Sequence, residues 1–372
     1  MQFDRLNWTI LDRLRTGFLS GTAAGGVYWK SHDDLDQYDH TFGERIGWKW
    51  DTVLREISGR GWRPARTKDK LTLLDWGCGS GVAGRRVLAH FGPENFDRAL
   101  VWDHSALARA YAAERARTSF PNLKVEEFAA EPSGLKRRKP SAIVDEYGPA
   151  QIDVLVVSHV INELDDPARE SLLALVRRSA CVLWVEPGTH AVSRDLIALR
   201  EKVRAEFRVV APCTHNAVCG LLAPQNAQHW CHAHAAPPPS LYADSDWVKF
   251  GQRAGIDLRS LPYAFLVMEK LPTPVALATD GRDPIAREPE LESGAERIID
   301  EPRQFKGFAK ILSCAGVGVR ELMLQKRDAP ALFKQLKRDL GIPIYQWRLE
   351  SDRIHDATEI YPEKSAPTDL PI

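Results

Sequence analysis

Two groups of residues in this sequence could do chemistry: a glycine-rich turn flanked by acids, and a set of cysteines in the second half of the chain. The turn lies in KLTLLDWGCGSGVAGRRVL, where an apolar run ends at Asp75 and glycines follow at Gly77, Gly79 and Gly81. Glycine lets the backbone approach a ligand closely, and the first turn of a helix offers unpaired amides to an anionic group. We therefore expect a ligand with a carboxylate or phosphate at this turn.

A second acid follows the next apolar run, because ALVWDHS places Asp103 there. The spacing D-x-G-x-G-x-G differs from the G-x-G-x-x-G of NAD sites and resembles the S-adenosylmethionine (SAM) motif of class I methyltransferases. The resemblance implies that Asp75 lies near the amino-acid part of SAM and that Asp103 bonds the ribose hydroxyls, since a carboxylate accepts two hydrogen bonds at once. The predicted cofactor-binding residues are Asp75, Gly77, Cys78, Gly79, Gly81, Asp103 and Ser158.

The segment VVSHVINELDD ends a later apolar run, where class I methyltransferases place catalytic or substrate-contacting residues. It carries Ser158, His159 and Val160 in place of the Asn or Asp, Pro-Pro and aromatic typical of base amine methylation. His159 is either a general base or a packed histidine at a strand end. In the next such segment, EPGTHAVSRD, Glu186 and Arg194 either contact substrate or fix the turn.

Four cysteines are candidate metal ligands. Cys213 and Cys219 are separated by five residues, Cys219 and Cys231 by eleven, and Cys314 in ILSCAG is the natural fourth ligand. Thiolates favour zinc or iron-sulfur centres, and the spacing departs from the C-x2-C of structural zinc, which favours an iron-sulfur cluster. Zinc remains the alternative because imidazoles are also present at His215, His229, His232 and His234.

The other two cysteines differ in setting. Cys78 lies inside the glycine turn and Cys181 begins an apolar run, so both are interpreted as packing residues. Six cysteines in 372 residues are too few for a disulfide scaffold. No apolar run approaches the roughly 18 to 20 residues that span a bilayer, and the first residues do not form a secretory signal, so a soluble, cytoplasmic protein is expected.

Short apolar runs alternate with amphipathic segments after Leu71, the pattern of a parallel sheet covered on both faces. The fold class is therefore α/β, with a doubly wound, Rossmann-like sheet. Predicted strands cover Leu71 to Leu74, Ala99 to Trp102, Leu123 to Val125, Ile152 to Val157 and Val182 to Val185. Predicted helices cover Ala106 to Arg117, Arg169 to Arg178 and Val192 to Phe207.

The chain divides into four expected regions. These are a helical N-terminal cap (1–65), the SAM-binding core (66–210), a metal-binding insertion with the closing strands of the core (211–330), and a C-terminal helix and tail (331–372). Within the third region, Pro272 to Pro302 is rich in Pro and acids and is expected to be a flexible excursion, and FKGFAKILSCAG with VRELMLQKR is expected to form a hairpin. A disordered tail is expected from Pro362.

Together, DWGCGSG, VVSHVINEL, VEPGT, C-x5-C, WCH and a late cysteine strand resemble the Rsm-type methyltransferase-like family, over residues 70 to 327. That family includes mitochondrial ribosomal small-subunit protein twenty-two and its bacterial relatives. The resemblance implies a class I SAM fold and a four-iron four-sulfur cluster on Cys213, Cys219, Cys231 and Cys314. It also implies a partnership with small-subunit rRNA and proteins during subunit maturation, with or without retained methyl transfer.

The balance of 50 basic and 50 acidic residues means that any RNA contact depends on local patches. An active methyltransferase on another RNA or protein, with a structural zinc site, is the alternative function. Candidate phosphate contacts, each also interpretable as a solvated face, are Lys136, Arg137, Arg138, Lys139, Lys326, Arg327, Lys334, Lys337 and Arg338.

Overall fold

The larger of two β-sheets carries the glycine turn. The computed structural model describes residues 2–20, 29–65, 69–128, 152–272, 294–336 and 342–361. In this sheet the strands run in the order β3-β2-β1-β4-β5-β8-β6, and β7 pairs with β8. The strands are β1 (Leu71–Trp76), β2 (Phe96–Trp102), β3 (Lys124–Glu127), β4 (Ile152–Ser158), β5 (Ser179–Pro187), β6 (Phe207–Ala211), β7 (Ala233–Ala235) and β8 (Leu261–Lys270).

Strands β1 to β5 are parallel, and β8 is antiparallel to β5 and β6. All six residues of β1 are buried, which explains its continuous apolar sequence: a parallel strand in the middle of a covered sheet has no solvent face. The five predicted strands are confirmed, with ends that differ by one to three residues. The order reverses between β1 and β4, and a crevice opens there beyond the carboxyl ends of the strands.

Helices cover both faces of this sheet. They are α1 (Trp8–Ser20), α2 (His32–Tyr38), α3 (Glu44–Gly59), α4 (Val82–Phe91), α5 (Ala106–Ser119), α6 (Asp166–Arg178), α7 (His190–Val203) and α8 (Ser245–Ala254). One face packs on α3, α4, α5 and α8, and the other packs on α6 and α7. The three predicted helices are confirmed, except that α7 ends at Val203 and Phe207 already begins β6.

Side-chain caps define where several of these helices begin. Ser105 accepts a hydrogen bond from the Ala108 amide at the start of α5, and Asp165 accepts one from the Ala168 amide at the start of α6. Asp244 accepts hydrogen bonds from the Asp246 and Trp247 amides at the start of α8. Because α5 and α6 follow β2 and β4 along the chain, these caps also fix the loops that border the crevice.

The second sheet lies beyond residue 294 and has its own apolar core. It contains β9 (Ala295–Ile298), β10 (Arg303–Gln304), β11 (Phe308–Ala315), β12 (Gly318–Gln325), β13 (Ile344–Glu350) and β14 (Arg353–Glu359), with a short helix α9 (Pro330–Gln335) between β12 and β13. Strand β9 pairs with both β11 and β13, which closes the sheet into a small barrel.

The structure differs from the expected regions at this point. The predicted hairpin exists as β11 and β12, but it belongs to the barrel and does not close the core sheet, which β8 completes. Where a C-terminal helix and tail were expected, the described residues form a short helix (Pro330–Gln335) and a β-hairpin of β13 and β14. Part of the expected flexible excursion is strand β9, because its residues pair with β11 and β13. The rest of that excursion and the tail from Pro362 lie outside the described residues.

Candidate functional site

The glycine turn joins β1 to α4 at the crevice. Gly77, Gly79 and Gly81 have φ angles of +70°, +51° and +78°, which L side chains rarely adopt. A Cβ at Gly77 would lie 2.6 Å from Cγ1 of Val160, so the turn also packs tightly against the end of β4. Only glycine satisfies both conditions, and the backbone at the start of α4 is left open to a ligand.

The two predicted acids flank this turn in different ways. Asp103 lies in the crevice, where its Oδ2 accepts a hydrogen bond from the Gly79 amide (3.0 Å) and its Oδ1 accepts one from the Ser105 amide (2.9 Å). Asp75 is buried beneath the turn and accepts a hydrogen bond from the Gly84 amide at 3.1 Å. Burial raises the pKa of Asp75 to about 7. Asp103 can therefore reach a ligand directly, whereas Asp75 holds the first turn of α4.

A cavity of about 1060 Å³ occupies the crevice, a volume at the upper end of the usual range for small-molecule sites. The indoles of Trp76 and Trp102 stack at 4.7 Å and line one wall. Asp75 and Gly81 were predicted to bind the cofactor but do not line the cavity. The predicted cofactor residues that line it are Gly77, Cys78, Gly79, Asp103 and Ser158.

A chain of polar contacts enters the cavity from the N-terminal helices. Lys49 Nζ on α3 lies 3.2 Å from His159 Nε2, and His159 Nδ1 lies 3.2 Å from Ser158 Oγ. The Trp50 indole donates a further hydrogen bond to Ser158 Oγ at 3.0 Å. His159 has a φ of +57°, an uncommon conformation for a non-glycine residue, and it lies directly after β4. A lysine from α3 and an imidazole and a hydroxyl from the end of β4 therefore face one cavity.

Electrostatics keep this chain of contacts near neutrality. Burial, together with the charge of Arg45, lowers the pKa of Lys49 to about 7. Burial and the neighbouring Lys49 hold the pKa of His159 well below its ordinary value. Lys49 titrates near neutral pH and can accept a proton from a nucleophile in the cavity, whereas His159 stays neutral and is a weak base. Sequence analysis missed Lys49, because nothing near it in the chain indicates its contact with β4.

Glu186 and Arg194 fix turns, which was one of the two interpretations open for them. Glu186 is fully buried and accepts hydrogen bonds from the Val160 and Ile161 amides at 3.1 and 3.2 Å. Arg194 donates to the carbonyl oxygens of Leu221 and His229, both at 3.0 Å. Both acceptors lie in the cysteine-bearing insertion, the segment 212–232 between β6 and β7. Glu186 thereby supports the backbone that follows β4, and Arg194 supports the cysteine-bearing insertion.

The four predicted metal ligands come together from two parts of the fold. Cys213 follows β6, Cys219 and Cys231 lie in the insertion, and Cys314 lies on β11 of the barrel. Burial and the neighbouring thiols raise the pKa of Cys219 to about 11 and that of Cys231 to about 12, and the same causes raise the pKa of Cys314. Because burial and neighbouring thiols disfavour ionisation of Cys219, Cys231 and Cys314, a bound cation would be required to hold these three as thiolates near neutral pH.

Other polar groups surround the thiols. His215 Nε2 lies 3.8 Å from Cys314 Sγ, and Arg200 donates to the carbonyl oxygens of His215 and Ala217 at 3.3 and 2.9 Å. Within the described part of the chain, no three cysteine sulfurs lie within 4.8 Å of one another. The remaining cysteines are buried elsewhere, and the Cys181 thiol donates to the Asp153 carbonyl at 3.2 Å.

A buried ion network positions the first of these cysteines. Glu56 on α3 accepts hydrogen bonds from Arg60 (2.5 Å) and from Arg297 on β9 (2.6 Å). Arg60 also donates to the carbonyl oxygens of Pro212 (2.8 Å) and Cys213 (3.1 Å). Sequence analysis missed this network, because its members come from three distant segments and carry no local motif.

Two of the histidines considered for zinc form a separate group. One ligand atom each of His232, His234 and Asp300 lies within 4.8 Å of the others. His232 Nε2 is 3.2 Å from Asp300 Oδ1, and its Nδ1 lies 3.2 Å from the Trp230 carbonyl oxygen. Such a backbone contact commonly orients a metal-binding imidazole. Asp300 has a φ of +66° and was not anticipated from the sequence.

The predicted basic residues fall into two sets. Lys326 and Arg327 are exposed at the end of β12, and Lys334 lies on α9. The other predicted basic residues lie outside the described ranges; they are Lys136, Arg137, Arg138, Lys139, Lys337 and Arg338.

No helix among the described residues is long and apolar enough to cross a membrane.

The larger sheet is Rossmann-like, with the antiparallel strand β8 between β5 and β6 and with a glycine turn after β1 that opens on a cavity. This is the fold of class I SAM-dependent methyltransferases. Within that class, the family model described as "Mitochondrial small ribosomal subunit Rsm22" matches residues 69–339. The chain therefore belongs to this family, as its cysteine pattern and glycine turn predict.

Two of the solved structures with similar folds are methyltransferases. Magnesium protoporphyrin IX methyltransferase from Synechocystis PCC 6803, with bound SAH, is 11% identical, with 72% of this chain and 96% of that chain covered and a TM-score of 0.36. A SAM-dependent methyltransferase from Aquifex aeolicus is 14% identical, with coverages of 50% and 93% and a TM-score of 0.33. No curated protein has a significant match to the sequence.

Proposed function

We propose that this protein acts in the maturation of the small ribosomal subunit, as a SAM-fold protein that binds subunit rRNA and proteins. The observation that carries this proposal is the family match, which spans the SAM-type core, the cysteine-bearing insertion and strands β9 to β12 of the barrel. The balanced overall charge requires that RNA contacts come from local surfaces.

SAM is the proposed ligand of the cavity. Asp103 would bond the ribose hydroxyls through lone pairs that the Gly79 and Ser105 amides leave available, because an ionised carboxylate accepts about four hydrogen bonds. The open amides at the start of α4 suit the carboxylate of the amino-acid part. When bound, SAM would supply an electrophilic methyl group.

An iron-sulfur cluster is the proposed occupant of the four-cysteine site, held by Cys213, Cys219, Cys231 and Cys314. Four thiols and no carboxylate form a donor set suited to iron-sulfur or zinc. The spacing of these cysteines departs from the C-x2-C pairs of structural zinc, which favours the cluster. Its contribution would be to neutralise the thiolates and join the insertion to the barrel.

Two measurements on one anaerobic preparation test this proposal. Iron, sulfide and zinc analysis with a visible spectrum should give near-stoichiometric iron and sulfide, both lost in Cys213→Ser. Co-sedimentation with purified small subunits, with large subunits as the control, should show selective binding that survives removal of free SAM. Equal binding to both subunits would refute the assignment to small-subunit maturation.

An active methyltransferase on another RNA or protein, with structural zinc, is the second candidate function. The polar chain formed by Lys49, His159 and Ser158 favours it, because proton acceptors line the same cavity as the glycine turn. Transfer of labelled methyl from SAM to small subunits, bulk RNA and protein fractions discriminates the two. Transfer to a non-ribosomal fraction, together with zinc and no iron, would establish this second function.

A further inference from the structure

We propose that the C-terminal barrel binds single-stranded RNA on the exposed end of the β11–β12 outer face. Base stacking on Phe305 and Phe308 and phosphate contacts from Lys306 and Lys326 would form the site. The biological setting of this site rests on the proposed function. The inference deepens that function because it names the binding surface and single-stranded RNA as the ligand. The binding itself is independent of methyl transfer.

The strand order of the barrel is the first argument. From β9 the neighbours run β11, β12, β14, β13 and back to β9, and every pairing is antiparallel except β12 with β14. In chain order the five strands are β9, β11, β12, β13 and β14, and helix α9 lies between the third and the fourth. This is the topology of the OB-fold, a Greek-key barrel that binds oligonucleotides on the face of its second and third strands. Those strands correspond to β11 and β12.

Alternation along β11 shows which side chains form that face. Ala309, Ile311 and Ser313 are buried inside the barrel, so Phe308 and Lys310 point outward with the other alternate residues. Across the strand pair, Phe308 lies opposite Gln325 and Lys310 lies opposite Met323. The outer face therefore combines an aromatic ring with lysine and methionine side chains.

One end of this face is already covered, which leaves the other as the candidate surface. Leu312, Cys314 and Val319 pack against the cysteine insertion through Cys219 and Leu221. The end at Phe308 has no such cover among the described residues, and Met323 there is 36% exposed. A short single strand could lie across this end, since OB-folds contact as few as about four nucleotides.

An aromatic pair forms the centre of the exposed end. The rings of Phe305 and Phe308 are stacked with centroids 4.5 Å apart and planes inclined by 12°. The Phe305 amide donates to the Phe308 carbonyl oxygen at 2.8 Å, so a tight turn fixes the two rings. Phe305 is nevertheless 46% exposed. A rigid, exposed ring beside a barrel strand is a stacking surface for an unpaired base.

Positive charge surrounds this pair. Lys306 lies in the turn between the two rings, and the Lys326 amide donates to the Gly307 carbonyl oxygen at 2.9 Å, which brings the end of β12 beside the turn. Both lysines are exposed, and neither forms an ion pair with another described residue. Lys310, in contrast, is paired with Glu321 at 2.7 Å. Two unpaired cations beside an aromatic platform fit the alternating phosphates and bases of a single strand.

Fluorescence anisotropy with the full chain and a labelled single-stranded RNA of about 12 nucleotides tests the proposal. Phe305→Ala should weaken binding by about tenfold or more, because a base would no longer have an aromatic ring to stack on. Phe305→Trp should retain binding. The pair Lys306→Ala and Lys326→Ala should lower the slope of log affinity against log salt by about 0.7 for each phosphate that is no longer neutralised.

Two variants serve as matched controls. Tyr242→Ala removes an aromatic side chain that is 60% exposed outside the barrel, and Arg348→Ala removes a cation from β13 of the same barrel. Both should bind RNA as the unaltered chain does. Circular dichroism and thermal unfolding of each variant should match the unaltered chain, since every substituted position is exposed.

Several outcomes would overturn the inference. These are unchanged affinity of Phe305→Ala, equal affinity for a duplex of the same length, or no binding of the oligonucleotide by the unaltered chain. If Phe305→Ala weakened subunit binding while the oligonucleotide never bound, the surface would contact a protein instead. Oligonucleotide binding without selective small-subunit binding would support this inference and refute the proposed function.

Discussion

Glu56 Oε1 on α3 lies 2.6 Å from Arg297 Nη1 on β9, although the two residues are 241 positions apart in the chain. Both side chains are buried, and Arg60 completes the network. The ion pair joins the N-terminal helices to the barrel, and it passes beside the backbone of Cys213. One buried carboxylate therefore stabilises the contact between two parts of the fold that border the four-cysteine site.

Glu56→Gln should lower the free energy of unfolding by about 3 to 5 kcal/mol, because two buried guanidinium groups lose their countercharge. Urea unfolding at pH 7 measures this loss. Glu170→Gln is the control, since Glu170 forms an exposed pair with Lys202 that should contribute less than about 1 kcal/mol. Equal losses in the two variants would contradict the importance assigned to the buried network.

The same carboxylate predicts a pH dependence. Burial alone would raise the pKa of Glu56, but the charges of Arg297 and Arg60 hold that pKa below its ordinary 4.5. The unfolded chain therefore takes up the proton first, and the stabilisation is complete above about pH 4.5 and is lost as pH falls through the lower, folded-state pKa. Stability curves of the unaltered chain and Glu56→Gln should converge in acid, and parallel curves would contradict this assignment.

Asp103→Asn should weaken SAM binding by about 10- to 100-fold, because hydrogen bonds to a charged group contribute about 1.5 to 3 kcal/mol. Calorimetric titration with SAM measures the affinity. Asp97→Asn, at an exposed position near the start of the same strand, is the control and should bind normally. Normal binding by Asp103→Asn would place the ribose elsewhere in the cavity.

Serine substitutions should divide the cysteines into two classes. Changes at Cys213, Cys219, Cys231 or Cys314 should each release most of the bound metal and lower thermal stability, because the centre would join segments from the core and the barrel. Cys181→Ser should retain metal, since its thiol contacts a backbone carbonyl within the core sheet. Metal analysis after anaerobic purification checks the division, and retention in all four ligand variants would exclude the site.

Lys49→Met should stabilise the fold at pH 7 by about 2 to 4 kcal/mol. The folded-state pKa of about 7 lies below the ordinary 10.5, so folding releases a proton between these values and the cost of burying the lysine is complete below about pH 7. Unfolding at pH 7 and pH 10 should show the gain shrinking at the higher pH. Lys70→Met, at an exposed position, should change neither value.

Local motifs account for what could be predicted from the sequence. The segment from Asp75 to Gly81 contains its own strand end, turn and helix start, so a local motif is enough to identify it. The β11–β12 hairpin is similarly local. Lys49 and the Glu56–Arg297 pair could not be predicted, because their meaning arises from contacts between segments far apart in the chain.

The barrel was missed for a related reason. Tyr345, Trp347 and Leu349 alternate with polar residues on β13, but only pairing with β9 and β14 distinguishes this pattern from an irregular tail. A C-terminal helix and tail were predicted for this region, and the helical part is confined to α9. Half-buried strands on small barrels carry a weak hydrophobic signal, since one face remains in water.

Strand β9 is short, yet it occupies the gap between β11 and β13. Without it, each of these strands would present unpaired amides and carbonyls to a second copy of the protein, the usual route to edge-to-edge association. Arg297 lies within β9, so the ion pair with Glu56 also keeps this strand in place. Strand β9 therefore protects two strand edges from intermolecular pairing, and the ion pair links this protective strand to the N-terminal helices.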